Sequence, residues 1–258
     1  MTAAQGITTL GRWGRERVEG LGRSGRFIGD TLVASRDVAT WWPEVTLHAR
    51  ALGVSSLPIA IYIALFTGVV LSLLASYSFT GAVPLYFVGT LVEKTITMEL
   101  APVLTGLALA GRVGANIAAE LGTMKVTEQV DALETLAISP HAYLVTPRVI
   151  AAILMFPVVT AVAMAVGVLS GWFTAVNLLD LSSVEFLRGA RQFYNFKDIW
   201  FGLVKSASFG GVVATMGCFQ GLSARGGAEG VGHATTRAVV LGCQAILVLD
   251  AFWALVLL

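Results

Sequence analysis

The hydrophobic residues of this 258-residue chain fall in long runs that no charged residue interrupts. Residues 51–92, 149–179 and 206–224 contain no Asp, Glu, Lys or Arg. Each run is long enough for the ~20 residues that a transmembrane helix needs. The pattern therefore predicts an all-α polytopic membrane protein with five transmembrane helices, at about residues 54–77, 92–121, 147–176, 199–222 and 234–257.

The composition supports this class and excludes several others. Hydrophobic residues make up 56% of the chain and charged residues 13%, whereas about a quarter of the residues in a soluble domain are charged. The two cysteines, Cys218 and Cys243, both lie in apolar runs, so we expect no disulfide framework and no metal site. No phosphate-binding loop, hydrolase motif or metalloprotease motif is present. We predict no catalytic residues, no cofactor and no nucleic-acid partner, and any ATP-driven work would need a second chain.

The first 50 residues differ from residues 51–258, which form the transmembrane domain. Seven arginines precede the first predicted span: Arg12, Arg15, Arg17, Arg23, Arg26, Arg36 and Arg50. Apolar residues such as Trp13 and Phe27 interleave with them, which predicts an amphipathic helix lying in the membrane interface. The alternative is a disordered basic leader.

The same arginines predict the orientation of the chain in the membrane. Lys and Arg are enriched on the cytoplasmic side, and the first span usually dominates the choice. Five spans then place the N-terminus in the cytoplasm and the C-terminus outside. Arg188, Arg191 and Lys197 fall in a predicted outward loop and oppose this orientation, but the seven N-terminal arginines outweigh them.

The second span combines small residues with polar ones. Small residues recur every fourth position, at Gly106, Ala110, Gly114, Ala118 and Gly122, which is typical of close helix packing in membranes. Arg112, Asn116 and Glu120 have the same spacing on the opposite face, since two residues turn a helix by about 200°. We predict structural roles, mostly in ion pairs, for five intramembrane charges: Arg112, Glu120, Lys205, Arg237 and Asp250. Mutual pairing of Lys205 with Asp250 is feasible, and Arg237 is placed to snorkel.

Glu99 stands apart because Pro102 follows it closely. Proline disrupts the hydrogen bonding of the preceding helical turn, and ionisable residues within a membrane span mark functional sites by default. Two interpretations remain open: Glu99 lines a partly aqueous cavity, or it forms a structural pair with a Lys or Arg.

The segment at about residues 126–139 is polar and amphipathic. Val126, Val130 and Leu133 form one helical stripe and Glu128, Asp131 and Glu134 the other. We predict a helix of about three turns, capped by Thr127 and stopped by Ser139-Pro140. Such a short helix is marginal alone, so we expect its acidic face to dock into a basic partner. The alternative is a short surface helix resting on the membrane.

Several motifs in this part of the chain resemble the MlaE-type permease family of ABC phospholipid transporters. They are Glu99-Leu100-Ala101-Pro102-Val103, Gly111-Arg112-Val113-Gly114, Ala118-Ala119-Glu120-Leu121-Gly122-Thr123-Met124, Thr127-Glu128-Gln129, Asp131-Ala132-Leu133 and Ser139-Pro140. Ala234-Thr235-Thr236-Arg237 and Leu249-Asp250 extend the resemblance towards the C-terminus. Some members carry an Arg before the Glu of the first motif, where this chain has Met98.

The resemblance implies a non-catalytic permease in the bacterial inner membrane that moves phospholipids. It implies a homodimer, cytoplasmic ABC ATPase subunits, an outward-side MCE-domain lipid-binding protein and, in some systems, a STAS-domain regulatory protein. ATPase coupling would fall on Thr127, Glu128, Gln129, Asp131, Leu133 and Glu134. A lipid cavity would lie near Leu71, Tyr77, Phe79, Glu99 and Leu100.

Two other classes of function remain open on the residues alone. One is a channel or secondary transporter that uses an ion gradient through Glu99, Lys205 and Asp250. The other is a membrane scaffold that transports nothing. Copurification of an ATPase would separate the ABC permease from both.

Overall fold

The computed structural model describes residues 22–79, 84–179 and 181–257. All regular secondary structure in these residues is helical. Five helices are long and apolar enough to cross a membrane: Thr40–Ser78, Phe87–Val126, His141–Leu178, Phe196–Leu222 and Gly227–Val256. The predicted all-α polytopic fold is confirmed. The helices extend beyond the predicted apolar runs at most ends, because backbone hydrogen bonding continues where the side chains become polar.

The N-terminal part of the described chain consists of three helices in succession. Helix α1 covers residues 22–34, and α2 (Val38–Gly53) joins α3 (Leu57–Ser78) through a short 3-10 turn. Thr31 on α1 is buried, while Leu32 and Val33 beside it are exposed. This division is typical of an interfacial amphipathic helix. Residues 1–21, with Trp13 and the first three arginines, lie outside the described residues.

The second span is one 40-residue rod built from five segments. These are α4 (Phe87–Thr95), a π-helix (Ile96–Leu100), α5 (Ala101–Leu109), a second π-helix (Ala110–Gly114) and α6 (Ala115–Val126). At 1.5 Å per residue the rod is about 60 Å long, roughly twice the hydrocarbon thickness of a bilayer. It is therefore long enough to extend beyond the bilayer.

The remaining helices complete the bundle. Helix α7 (Gln129–Thr135) follows α6, and a π-helix (His141–Val145) leads into α8 (Thr146–Leu178). Helix α9 (Ser183–Gln192) precedes α10 (Phe196–Leu222) and α11 (Gly227–Leu257). We call the two ends of the bundle the α7 end and the α9 end. Helix α9 crosses α4 so closely that a Cβ atom on Gly189 would overlap the carbonyl oxygen of Tyr86.

The small residues of the second span are buried against α10 and α11. Gly106 lies beside Phe209 and Ile246, and Gly114 lies beside Val213. The face at the opposite side of the helix carries Asn116 and Glu120, which are exposed. Close approach of helix backbones is the packing that small residues permit in membranes.

The buried side chains form two apolar cores along the bundle. One core, towards the α7 end, includes Leu121, Val145, Phe156 and Phe209. The other, towards the α9 end, includes Val92, Ile96 and Phe186. Lys205 lies on α10 between Leu203, which packs against the second core, and Phe209 of the first.

Candidate functional site

Lys205 of α10 is the centre of a charged cluster inside the bundle. Its side chain is completely buried, and its ammonium group contacts a carboxylate oxygen of Glu99 and, at 2.5 Å, one of Asp250. The ammonium also lies 5.4 Å from the ring centroid of Phe201. We call Glu99, Lys205 and Asp250 the Lys205 cluster. Two carboxylates surround one ammonium, so the cluster has one carboxylate more than it has cations.

Pro102 explains the backbone geometry of this cluster. Proline has no N–H to donate to the carbonyl four residues earlier, and its ring clashes with that carbonyl. The helix responds with the π-segment Ile96–Leu100, in which the backbone N–H of Ala101 donates to the carbonyl of Ile96. The carbonyl of Met98 is left to accept a hydrogen bond from Lys205 Nζ, at 3.4 Å. Pro102 thus accounts for both the irregular turn and the free carbonyl that accepts a hydrogen bond from the buried ammonium.

Glu99 and Asp250 are only partly buried. Their side chains are 44% and 25% exposed at the surface of the chain. Glu99 forms the pair with a lysine that was one of the two interpretations, and its carboxylate is also partly exposed at the surface of the chain. That Glu99 lines a cavity stays a prediction. The pairing of Lys205 with Asp250 that the sequence made feasible is present.

The five residues predicted near a lipid cavity lie on two elements: Leu71, Tyr77 and Phe79 on α3 and at its end, and Glu99 and Leu100 in the first π-helix. Leu71 and Phe79 pack against the core at the α9 end, while Tyr77 is 79% exposed. Leu100 lines a small apolar cavity with Ile63 and Thr67. That cavity has a volume of about 10 Å³, which is room for a single water molecule and not for an acyl chain.

A second buried cation lies nearer the α7 end. Arg148 of α8 is 4% exposed and its Nη2 lies 2.7 Å from Glu120 Oε1. Its Nη1 donates to the carbonyl of Leu144 at 2.7 Å. Glu120 was expected in an ion pair, but Arg148 was not identified as its partner. The signal was present in the sequence, since Arg148 opens an otherwise uncharged run.

Sequence reasoning also missed two acidic groups near the α9 end. Asp198 lies 2.8 Å from Lys94 Nζ. Glu93 is 6% exposed, and its Oε2 is buried without a hydrogen-bond partner. Both positions were hidden because they fall at the ends of apolar runs, where charge is expected.

Arg112 and Arg237, for which structural roles were predicted, lie at less buried positions. Arg112 lies in the second π-helix of the second span and Arg237 lies on the exposed side of α11. Within residues 22–79, 84–179 and 181–257, neither has an ion-pair partner. Their burial is incomplete, so surrounding headgroups or water can solvate them.

The segment at residues 126–139 is helical over a shorter range than predicted. Helix α7 has seven residues, about two turns. Thr127 is not its N-cap: the Thr127 hydroxyl donates to the carbonyl of Thr123, and Glu128 precedes the helix with φ of 62°. Ser139-Pro140 does not stop it either. Ala137, with φ of 59°, ends the turn first, and Pro140 opens the next helix.

Side chains fix α7 against the bundle on one face only. Val130 is buried and Leu133 packs against the core. Lys125 Nζ lies 2.5 Å from Asp131 Oδ1 and ties the end of α6 to α7. Glu128, Gln129 and Glu134 are exposed together with Thr127. The acidic face is therefore open to a partner.

The comparisons with known proteins agree with this architecture. The family model described as permease MlaE matches residues 45–256. A probable ABC transporter permease protein of Rickettsia typhi is 43% identical over 197 residues, 76% of each chain. Another of Synechocystis is 41% identical over 200 residues, covering 78% of this chain and 76% of the relative.

A plant relative is more distant. The chloroplastic protein trigalactosyldiacylglycerol 1 of Arabidopsis thaliana is 33% identical over 209 residues, 81% of this chain and 60% of the relative. The motifs around Glu99 and Glu120, the five spanning helices and these matches lead to the same assignment. The chain belongs to the permease MlaE family and is an integral membrane permease of the ABC transporter type.

Proposed function

We propose that this permease moves phospholipids or related lipids between membranes, driven by an ABC ATPase in a separate chain. The observation that carries the proposal is the continuous second span. This span carries Glu99 of the Lys205 cluster, and its C-terminal end leads directly into α7. A displacement of α7 would reach the cluster along this helix.

The partners follow from the exposed surfaces and the family. Cytoplasmic ATPase subunits would dock on the acidic face of α7 through Thr127, Glu128, Gln129 and Glu134, with Asp131 and Leu133 holding α7 to the bundle. We propose a homodimer in the bacterial inner membrane with the N-terminus in the cytoplasm. An MCE-domain protein would bind at the α9 end, and a STAS-domain protein would regulate the ATPase where a system has one.

A lipid substrate is supported by two observations. The plant relative is named after a lipid, trigalactosyldiacylglycerol. In this chain, the carboxylates of Glu99 and Asp250 are partly exposed beside a buried lysine, and Leu100 and Tyr77 lie at the same end of the bundle. A cavity bounded by two copies of this surface would place polar groups beside apolar ones, as an amphiphile requires.

Charge reversal on α7 tests the ATPase interaction. We expect Glu128→Lys with Glu134→Lys to detach the ATPase, because both carboxylates are exposed and neither holds α7 in place. Asp131 is left intact because it anchors Lys125. The measurement is copurification of ATPase with the tagged permease, with Glu229→Lys, an exposed charge at the same end, as control. Undiminished ATPase in the double variant would reject the docking surface.

Lipid mass spectrometry of the purified complex tests the substrate. The expected result is stoichiometric phospholipid that decreases when Glu99 is replaced by Gln. A second candidate, transport driven by an ion gradient, is favoured only by the convergence of Glu99, Lys205 and Asp250. Transport that continues without ATP and stops when the ion gradient is collapsed would establish it instead.

A further inference from the structure

A cleft at the α7 end has chemistry that the proposed transport function does not use. Its volume is about 390 Å³, within the range of small-molecule sites. One wall is α1, and the opposite wall is the end of α6 with α7. The ends of α10 and the start of the third span close its floor.

The walls of the cleft carry basic side chains. Arg23 and Arg26 lie three residues apart on α1, and Lys125 lies on the opposite wall. Within the described parts of the chain, neither arginine has an ion-pair partner, whereas Lys125 contacts Asp131. Asp30 and Glu134 also border the cleft. Because Asp131 contacts Lys125, the charged groups around the cleft are balanced, and Arg23 and Arg26 are the two cations there without an ion-pair partner in the described residues.

The floor of the cleft is apolar and aromatic. Phe27 packs edge-on against Phe219, with ring centroids 5.4 Å apart, and lies 5.1 Å from the ring of His141. Leu222 and Val130 complete the floor. A hydrophilic phosphate compound would gain nothing from this surface, whereas the glycerol and upper acyl carbons of a lipid would be buried by it.

The position of the cleft also favours a lipid. Ile28, Leu32 and Val33 are exposed on α1 beside it, as expected of a helix that lies in the membrane interface. Basic residues next to a transmembrane domain attract anionic lipids, and arginine binds phosphate through two parallel hydrogen bonds.

We propose that this cleft binds the phosphate of an anionic phospholipid from the leaflet at the α7 end. Arg23 and Arg26 hold the phosphate, and Phe27, Phe219 and Leu222 hold the base of the acyl chains. The lipid joins α1 to α7. If α7 receives the ATPase as proposed above, the anionic lipid content of this leaflet regulates coupling; the binding itself does not depend on that function.

Hydrogen exchange of the full-length protein in nanodiscs tests the site without any ATPase. Phosphatidylglycerol added to phosphatidylcholine discs is expected to slow amide exchange in residues 22–34 and 129–135 by roughly tenfold, because a bound lipid joins two short helices. Arg23→Gln with Arg26→Gln should abolish this slowing, and the corresponding double Lys variant should retain most of it.

The control removes equal charge elsewhere. Arg36→Gln with Arg225→Gln deletes two exposed arginines at the same end that do not line the cleft, and it should leave the slowing unchanged. Equal loss in this control would mean that general charge attraction is responsible and would overturn the site. Inorganic phosphate added to phosphatidylcholine discs should have no effect; full protection by phosphate alone would overturn the lipid as ligand. No protection by phosphatidylglycerol in the wild type would overturn the proposal.

Discussion

Lys205 and Arg148 are both buried cations that contact carboxylates partly exposed at the surface of the bundle, yet their surroundings differ. Arg148 has one carboxylate, Glu120, and a carbonyl from its own helix. Lys205 has two carboxylates and a carbonyl that Pro102 freed on another helix. The Arg148 pair is balanced in charge, although Nε of Arg148 is buried without a hydrogen-bond partner. The Lys205 cluster has one more carboxylate than it has cations, and the cluster lies between the two apolar cores. We therefore predict a structural role for the Arg148 pair and a ligand-binding role for the Lys205 cluster.

Replacing Lys205 should have the largest effect on stability. Lys205→Met leaves Glu99 and Asp250 close together without a cation. Both carboxylates keep part of their hydration, so we expect a loss at the lower end of the ~3–5 kcal/mol that breaking a buried ion pair costs. The check is thermal unfolding of the purified permease, with Lys197→Met as control because Lys197 is exposed in the first turn of α10. Equal unfolding temperatures for the two variants would remove the Lys205 cluster as a determinant of stability.

The Arg148 pair should respond asymmetrically. Glu120→Leu leaves a guanidinium buried without a carboxylate, and we expect a loss of ~2–3 kcal/mol. Arg148→Met leaves only Glu120, which is 55% exposed and keeps its hydration, so the loss should be ~1 kcal/mol. Unfolding of both variants and of the double variant gives the coupling energy. A greater loss of stability from Arg148→Met than from Glu120→Leu would contradict burial of the guanidinium as the cause of the asymmetry.

The smallest effect on stability should come from Glu99. Glu99→Gln leaves Lys205 paired with Asp250. Because the Glu99 side chain is more exposed than that of Asp250, we expect the free energy of unfolding to change by less than ~1 kcal/mol. Asp250→Asn should cost more. Copurified phospholipid should decrease in the Glu99 variant and not in Glu120→Gln. A marked loss of stability with normal lipid content would mean that Glu99 is a structural counter-ion. The Lys205 cluster would then have the same structural role as the Arg148 pair.

Local patterns in the sequence could predict only part of the candidate site. The isolation of Glu99 beside Pro102, and the opposition of small and polar faces on the second span, follow from spacing along one helix. The partner of Glu120 could not be predicted in this way, because Arg148 lies 28 residues away on another helix. The early end of α7 was also missed. Helix α7 is limited by left-handed backbone conformations at Glu128 and Ala137. Non-glycine residues seldom adopt this conformation, so these two residue types do not predict it.

The sequence by itself determined the five spans, because a bilayer requires long uncharged runs whatever the packing between them. It also determined the packing face of the second span, since Gly and Ala at every fourth position lie on one side of any helix. Only the tertiary structure decided that Lys205 meets Glu99 across 106 residues and that Asp250 joins them. It also decided that Arg23 and Arg26 line a cleft opposite Lys125. Side-chain partners on different helices are chosen by how the helices pack, and periodicity along a single helix carries no information about that choice.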